Sequence, residues 1–236
     1  MRVRLRYSRQ GTSRFLSHLD MARLFLRALR RGQLPLAYSQ GFNPQPRVAF
    51  AAPLPVGTAG LAEYVDIFFT EPLDRYRLMK TLNDQMPAGI EVQAARQVPE
   101  KEGSLMARVD TFVYQIHLPA TGRVEAAGAL EKLDSAPEAP VVRRTKKGPR
   151  EKDIKPFIKR LELVEEEEPK GQKAAGVWHL KLILSAGPEG SVRPEEVLAA
   201  MDIRADTALI IRKGVYIAEG DTLRTPFDVI NGEVSF

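Results

Sequence analysis

Polar and apolar residues alternate from the start of the chain. In RVRLRY, Val3, Leu5 and Tyr7 share one face, the period of a half-buried strand. After a turn over SRQGTS the period lengthens. Met21, Ala22, Phe25, Ala28 and Leu29 fall on one stripe of a helix, and Arg23, Arg27 and Arg30 on the opposite face at i, i+4 and i+7. Ser17 and Asp20 have the spacing of a capping box, Leu16 and Met21 that of a hydrophobic staple, and Gly32 marks the helix end. RVAFAA and AEYVDIFFT read as two strands of a hairpin, EPLDRYRLMKTLNDQMP as a helix with Asp74 as its cap, and GIEVQAARQV as a strand.

The order strand, helix, strand, strand, helix, strand predicts a split βαβ, ferredoxin-like domain over residues 1–98. The charged segment PEKEGS reads as a linker. Beyond it RVDTFVYQIHLPA, GVWHLKLILSA and TALIIRKGVYIAE have strand patterns, while TGRVEAAGALEKLDSA and RPEEVLAAM read as helices. PVVRRTKKGPREKDI reads as a short basic strand entering a glycine turn. The expected class is therefore α+β, with tandem ferredoxin-like units, the second degraded and spanning 104–220, followed by an extended tail over 221–236.

Charge changes this picture more than composition does. Residues 1–50 hold ten arginines and one aspartate, and residues 141–160 hold nine basic and two acidic side chains. Two basic islands in acidic surroundings suit a polyanion or an acidic protein. The chain has no cysteine, which excludes disulfides, thiolate nucleophiles, zinc–thiolate sites and cysteine-held iron–sulfur clusters in this chain. The N-terminus lacks the apolar core of a signal peptide, and no stretch is long enough to span a bilayer, so a cytoplasmic protein is expected.

The segment AYSQGFNPQPRVAFAAPLPVG is a costly connection between a helix and a strand, since a few residues would serve. Tyr38, Ser39, Gln40, Gly41, Phe42, Asn43 and Arg47 offer hydrogen bonds, aromatic faces and a permanent cation. That chemistry suits holding a ligand, such as an unstacked base or a phosphate, better than breaking a bond; the plainer alternative is a self-packed loop with Phe42 buried. His18, at the helix start, is a candidate donor or acceptor beside an anion-binding helix terminus, or simply a cap-region histidine. His117 and His179 lack partners at metal-ligand spacing, and no phosphate loop, HExxH or GxSxG occurs. No catalytic or metal-binding residue is assigned. The candidate binding set is completed by Arg14, Arg23, Arg27 and Arg30 in the first island and by Arg143, Arg144, Lys146, Lys147 and Arg150 in the second.

RFLSHLDMARLFLRALRR, LPLAYSQGFNPQPRVAFAAPLPVG, EYVDIFF, VVRRTKKGPREKDIKPFI and SVRPEEVL together resemble the radical SAM-linked protein family, bacterial proteins of unknown function encoded beside or fused to a radical SAM protein. The resemblance implies a partner that carries an iron–sulfur cluster and S-adenosylmethionine, with no cofactor in this chain. The family often has NPHPK where this chain has NPQPR; Gln45 replaces the histidine and Arg47 keeps the positive charge. A weaker likeness, to the repeat-processing ribonucleases of CRISPR systems, is one of fold alone. The expected function is that of an accessory protein presenting RNA or another polyanion to a radical SAM enzyme. The alternatives are a metal-independent ribonuclease or transferase using His18 with Tyr38 or Arg47, and a protein–protein adaptor.

Overall fold

A computed structural model describes residues 1–119, 123–145, 148–165, 178–187 and 190–230. The protein is mixed α+β, and every strand pairing whose register is defined is antiparallel. No helix among the described residues is long and apolar enough to cross a membrane. Backbone contacts divide the chain into two units, Met1–Asp110 with the residues from Arg212 on, and Thr111–Ile211. The pattern of hydrophobicity had placed the division at 98–104 and ended the second unit at 220.

In the first unit β1 (Arg2–Arg9), α1 (His18–Arg31), β2 (Val48–Phe50), β3 (Ala59–Phe68), α2 (Arg75–Asn83) and β4 (Ile90–Val98) follow in the predicted order. β1 lies between β4 and β3, so that Arg4 stands opposite Arg96 on one side and Asp66 on the other. β2 takes part of the other edge of β3, with Val48 opposite Ile67. β10 (Leu209–Glu219) also pairs with β3, and β11 (Thr222–Arg224) pairs with β10.

The helices form where capping and apolar spacing agree. Ser17 and Asp20 close a reciprocal capping box at the start of α1, and Asp74 accepts from the Arg77 amide at the start of α2. At the other end of α1 the amides of Gln33 and Leu34 bond the carbonyls of Arg30 and Leu29, a Schellman arrangement. Gln33, at φ +52°, occupies the left-handed position there. Gly32 is needed for a different reason: a Cβ on it would meet Thr81 Cγ2 of α2 at 2.6 Å. Phe25, Leu29, Leu78 and Leu82 of the two helices are fully buried with Val3, Leu5 and Tyr7.

The second face of β1 is buried too, contrary to a half-buried strand. Arg2 and Arg4 share the buried carboxylate of Asp66, with Arg4 Nε 2.8 Å from Oδ1 and Arg2 Nη2 2.5 Å from Oδ2. Arg4 also donates to the Pro226 carbonyl at 2.6 Å. The segment after β11 covers this face. Phe227 packs edge-on against Tyr64 at 5.2 Å and carries the Arg96 guanidinium 4.9 Å from its ring centroid. Its turn is closed by Thr225 and Asp228, each side chain accepting from the other's amide. Residues 222–230 are thus a strand and a packed turn, where an extended tail was expected; residues 231–236 lie outside the described residues.

In the second unit β5 (Thr111–His117) pairs with β9 (Trp178–Ser185), and β9 with β8 (Ile158–Glu165). Leu180, Leu182 and Leu184 of β9 are fully buried with Ile116, Ile154, Val197 and Leu198. The helices are α4 (Arg123–Ser135) and α5 (Pro194–Ala200), with Pro194 in the first turn. The short helix α3 (Leu105–Arg108) precedes β5. The basic strand β6 (Pro140–Thr145) does not stop at its turn: β7 (Gly148–Asp153) returns beside it as a separate two-stranded ribbon.

Candidate functional site

Residues 37–47 form a projecting hairpin. At its base the Ala37 amide bonds the Phe68 carbonyl, and the Arg47 amide bonds the Ala37 carbonyl, each at 2.9 Å. Tyr38 bridges Pro46, and the Ser39 amide donates to the Gln45 carbonyl at 2.8 Å. Near the tip the Gln45 amide donates to Ser39 Oγ at 3.0 Å, and Gln45 Nε2 donates to Asn43 Oδ1 at 3.1 Å. Gly41 turns the chain at φ +124°, a conformation open to glycine and strained for side-chain-bearing residues. The hairpin is therefore braced internally, and Gln45 is one of its braces.

What this frame displays is aromatic and polar. Phe42 is fully exposed, so the loop does not bury it as an anchor, and Tyr38 is 45% exposed. The Arg47 guanidinium lies over the Phe68 ring, 3.9 Å from its centroid. Its charge also helps hold the Glu100 carboxyl below its ordinary range, after the hydrogen bond and charge of the Met1 amine. Tyr38, Asn43 and Arg47 line neither of two cavities found among the described residues. One, of 310 Å³, lies among residues 32–35, 71–74, Arg77, Leu78 and Thr81; the other, of 630 Å³, lies on the β6–β7 ribbon.

His18 stands elsewhere in this unit. Its ring meets Phe50 edge-on at 5.3 Å, at the far end of β2 from Arg47. Phe50 in turn packs against Phe25 and Tyr7. The helix terminus beside His18 is not an open anion site. Ser17 Oγ occupies the Asp20 amide, and the Asp20 carboxylate, held below its usual range chiefly by the Ser17 hydroxyl and amide, puts negative charge there.

The basic islands divide into locked and displayed groups. Arg2 and Arg4 are bound to Asp66. Arg9, fully buried, donates to the carbonyls of Leu16, Leu54, Pro55 and Thr58 and so fastens the loop before β3. Arg23, Arg27 and Arg30 are exposed on α1. Arg23 lies 4.0 Å from Asp20, while Arg27 and Arg30 form no ion pair among the described residues. Arg14 is half-buried, its guanidinium over the exposed Phe15 ring. In the second unit Arg143 is committed: it grips both oxygens of Glu196 at 2.6 and 2.7 Å and the Ser191 carbonyl at 2.6 Å. Arg144 and Arg150 are exposed on the ribbon, and Lys146 and Lys147 lie outside the described residues.

One signal in the sequence strengthens the first island. No acidic residue occurs between Asp20 and Glu63, a run of 42 residues that includes Arg23, Arg27, Arg30, Arg31, the hairpin and Arg47. Among the described residues no group of three or more His, Asp or Glu side chains is placed to hold a metal ion.

A family model described as "uncharacterized protein conserved in bacteria" (DUF2344) matches residues 2–194. No curated protein matches the chain. Among solved structures, a chain of a crystal structure of a Cbf5-Nop10-Gar1 complex aligns with a TM-score of 0.43 at 11% identity, over 97% of this chain and 54% of that one. The chain thus spans about half the length of that neighbour.

Proposed function

This chain belongs to the DUF2344 family of uncharacterized bacterial proteins, and we propose that it is a cytoplasmic RNA-binding accessory protein acting beside a radical SAM enzyme. The observation that carries the RNA reading is the partition of the arginines. Arg2, Arg4 and Arg9 of β1 are bound to buried acceptors, whereas Arg27 and Arg30 on α1 are displayed without an ion pair among the described residues, inside a 42-residue stretch that has no acid. Exposed arginines without counter-charges raise the local positive potential and attract a phosphate backbone. The radical SAM partner is supported by the motifs of residues 14–69, 141–158 and 191–198; it would contribute the iron–sulfur cluster and S-adenosylmethionine.

The fold reading extends in the same way. The order β4-β1-β3-β2, antiparallel throughout, supports a ferredoxin-like first unit. The element order from β5 to β10 repeats the same plan once β6–β7 is counted as an insertion, which supports a tandem arrangement.

The test is a fluorescence-anisotropy titration of labelled RNA at two salt concentrations. Binding that weakens steeply with salt supports the reading. Absence of RNA binding at low salt, together with capture of the radical SAM protein alone, would replace it with a protein–protein adaptor.

A further inference from the structure

We propose that the 37–47 hairpin is a base-stacking wedge that selects unpaired RNA, with Phe42 as the stacking platform. The proposal rests on the RNA reading above and adds which form of RNA is taken and which residue selects it. Phe42 is fully exposed at the tip of a frame braced by four hydrogen bonds between residues 37 and 47. Bracing matters because a backbone fixed in advance loses little conformational entropy when the ring stacks.

The surroundings favour a nucleobase over an apolar pocket on a protein. The neighbours of Phe42 are Gln40, Gly41, Asn43 and Pro44, all exposed, so the ring stands alone amid hydrogen-bonding groups. A protein hot spot would be expected to carry an apolar surround that excludes water. Amide side chains beside an aromatic face instead match the edges and face of a base. Tyr38 offers a second, half-exposed ring near the base of the hairpin, and Arg47 supplies the cation for the backbone, its plane fixed over Phe68. Duplex RNA hides its base faces in the stack, so this wedge engages loops, bulges and single strands.

The experiment uses the full chain and three fluorescein-labelled probes: a 12-nucleotide single-stranded RNA, the same RNA as a duplex, and the single-stranded DNA counterpart. Phe42→Ala, Phe42→Trp and the double reversal Arg23→Glu/Arg27→Glu are compared with the wild type, with thermal melting as the check on folding. We expect the single-stranded RNA to bind at least tenfold tighter than the duplex. Phe42→Ala should remove about tenfold from the single strand and little from the duplex, with the salt slope unchanged, and Phe42→Trp should retain affinity. A single-stranded DNA bound as tightly as the RNA would overturn selection of RNA. Equal affinity for duplex and single strand, or a Phe42→Ala protein that binds as the wild type does, would overturn the wedge while leaving the RNA reading intact. Failure of every probe to bind would overturn that reading and the wedge with it.

Discussion

Glu63 and Arg212, 149 residues apart in sequence, meet as a buried bidentate ion pair, with Nε 2.8 Å from Oε1 and Nη2 2.5 Å from Oε2. Both side chains are 1% exposed. The guanidinium also donates to the Pro53 carbonyl at 3.1 Å, and the buried Tyr7 stands opposite Glu63 on β1. Burial, followed by the Glu63 charge, raises the Tyr7 pKa and keeps its hydroxyl protonated. The pair ties β10 to β3, because neither charge can be left in the interior alone. Arg212→Met should therefore destabilise the protein by about 3–5 kcal/mol, the cost of an uncompensated buried charge. The double variant Glu63→Leu/Arg212→Met should recover most of that loss. Urea denaturation of the three proteins tests this; a double variant as unstable as the single would show that the pair acts through something other than its charges.

The C-terminal turn should be as much part of the first unit as the helices are. Phe227 is 6% exposed against Tyr64 and Arg96. Phe227→Ala should cost about 3–5 kcal/mol, the range for emptying a buried phenylalanine site. A change of less than about 0.5 kcal/mol in chemical denaturation would mean that the turn is a dispensable appendage.

Acid should act on the second unit through Glu196. Burial pulls its carboxyl upward, but the hydrogen bonds from Arg143 and the Arg193 amide, with the charges of both arginines, bring it below its ordinary value. A carboxyl held lower in the folded state adds stability that is complete above the unfolded value, about 4.3 for glutamate, and is lost as pH falls through the folded value. Glu196→Gln should thus be less stable than the wild type at pH 7, with the gap closing below about pH 4. A gap that is constant from pH 7 to pH 3 would contradict the pairing.

The element order of the first hundred residues was legible because the apolar period switches cleanly from two to 3.6, as in RVRLRY followed by Met21, Phe25 and Leu29. The double burial of β1 was not, since alternating arginines look like a solvent face until Asp66 and Pro226 are brought beside them. Nothing local to Arg2 or Arg4 announces partners 62 to 222 residues away. The return strand β7 escaped for the opposite reason: exposed and charged, it lacks the apolar alternation that reveals a strand. At the candidate site the residue types of the hairpin were readable. Its direction was not. Phe42 points out and the Asn43 amide braces Gln45, and which way a loop folds depends on hydrogen bonds that its composition does not specify. Arg143 likewise read as a free basic residue until Glu196, 53 residues on, locked it.

The account stands on the displayed arginines of α1, and a salt titration of RNA binding by the wild type and by Arg23→Glu/Arg27→Glu tests it most directly. Both side chains face away from the core, so the reversal should shift stability by no more than about 0.5 kcal/mol. The wild type should bind single-stranded RNA at low salt, with affinity falling linearly in log–log form as salt rises. The reversal should abolish binding at physiological salt with an unchanged melting temperature. A correctly folded double variant that binds RNA with wild-type affinity and the same salt slope would contradict the claim that this helix is the contact face.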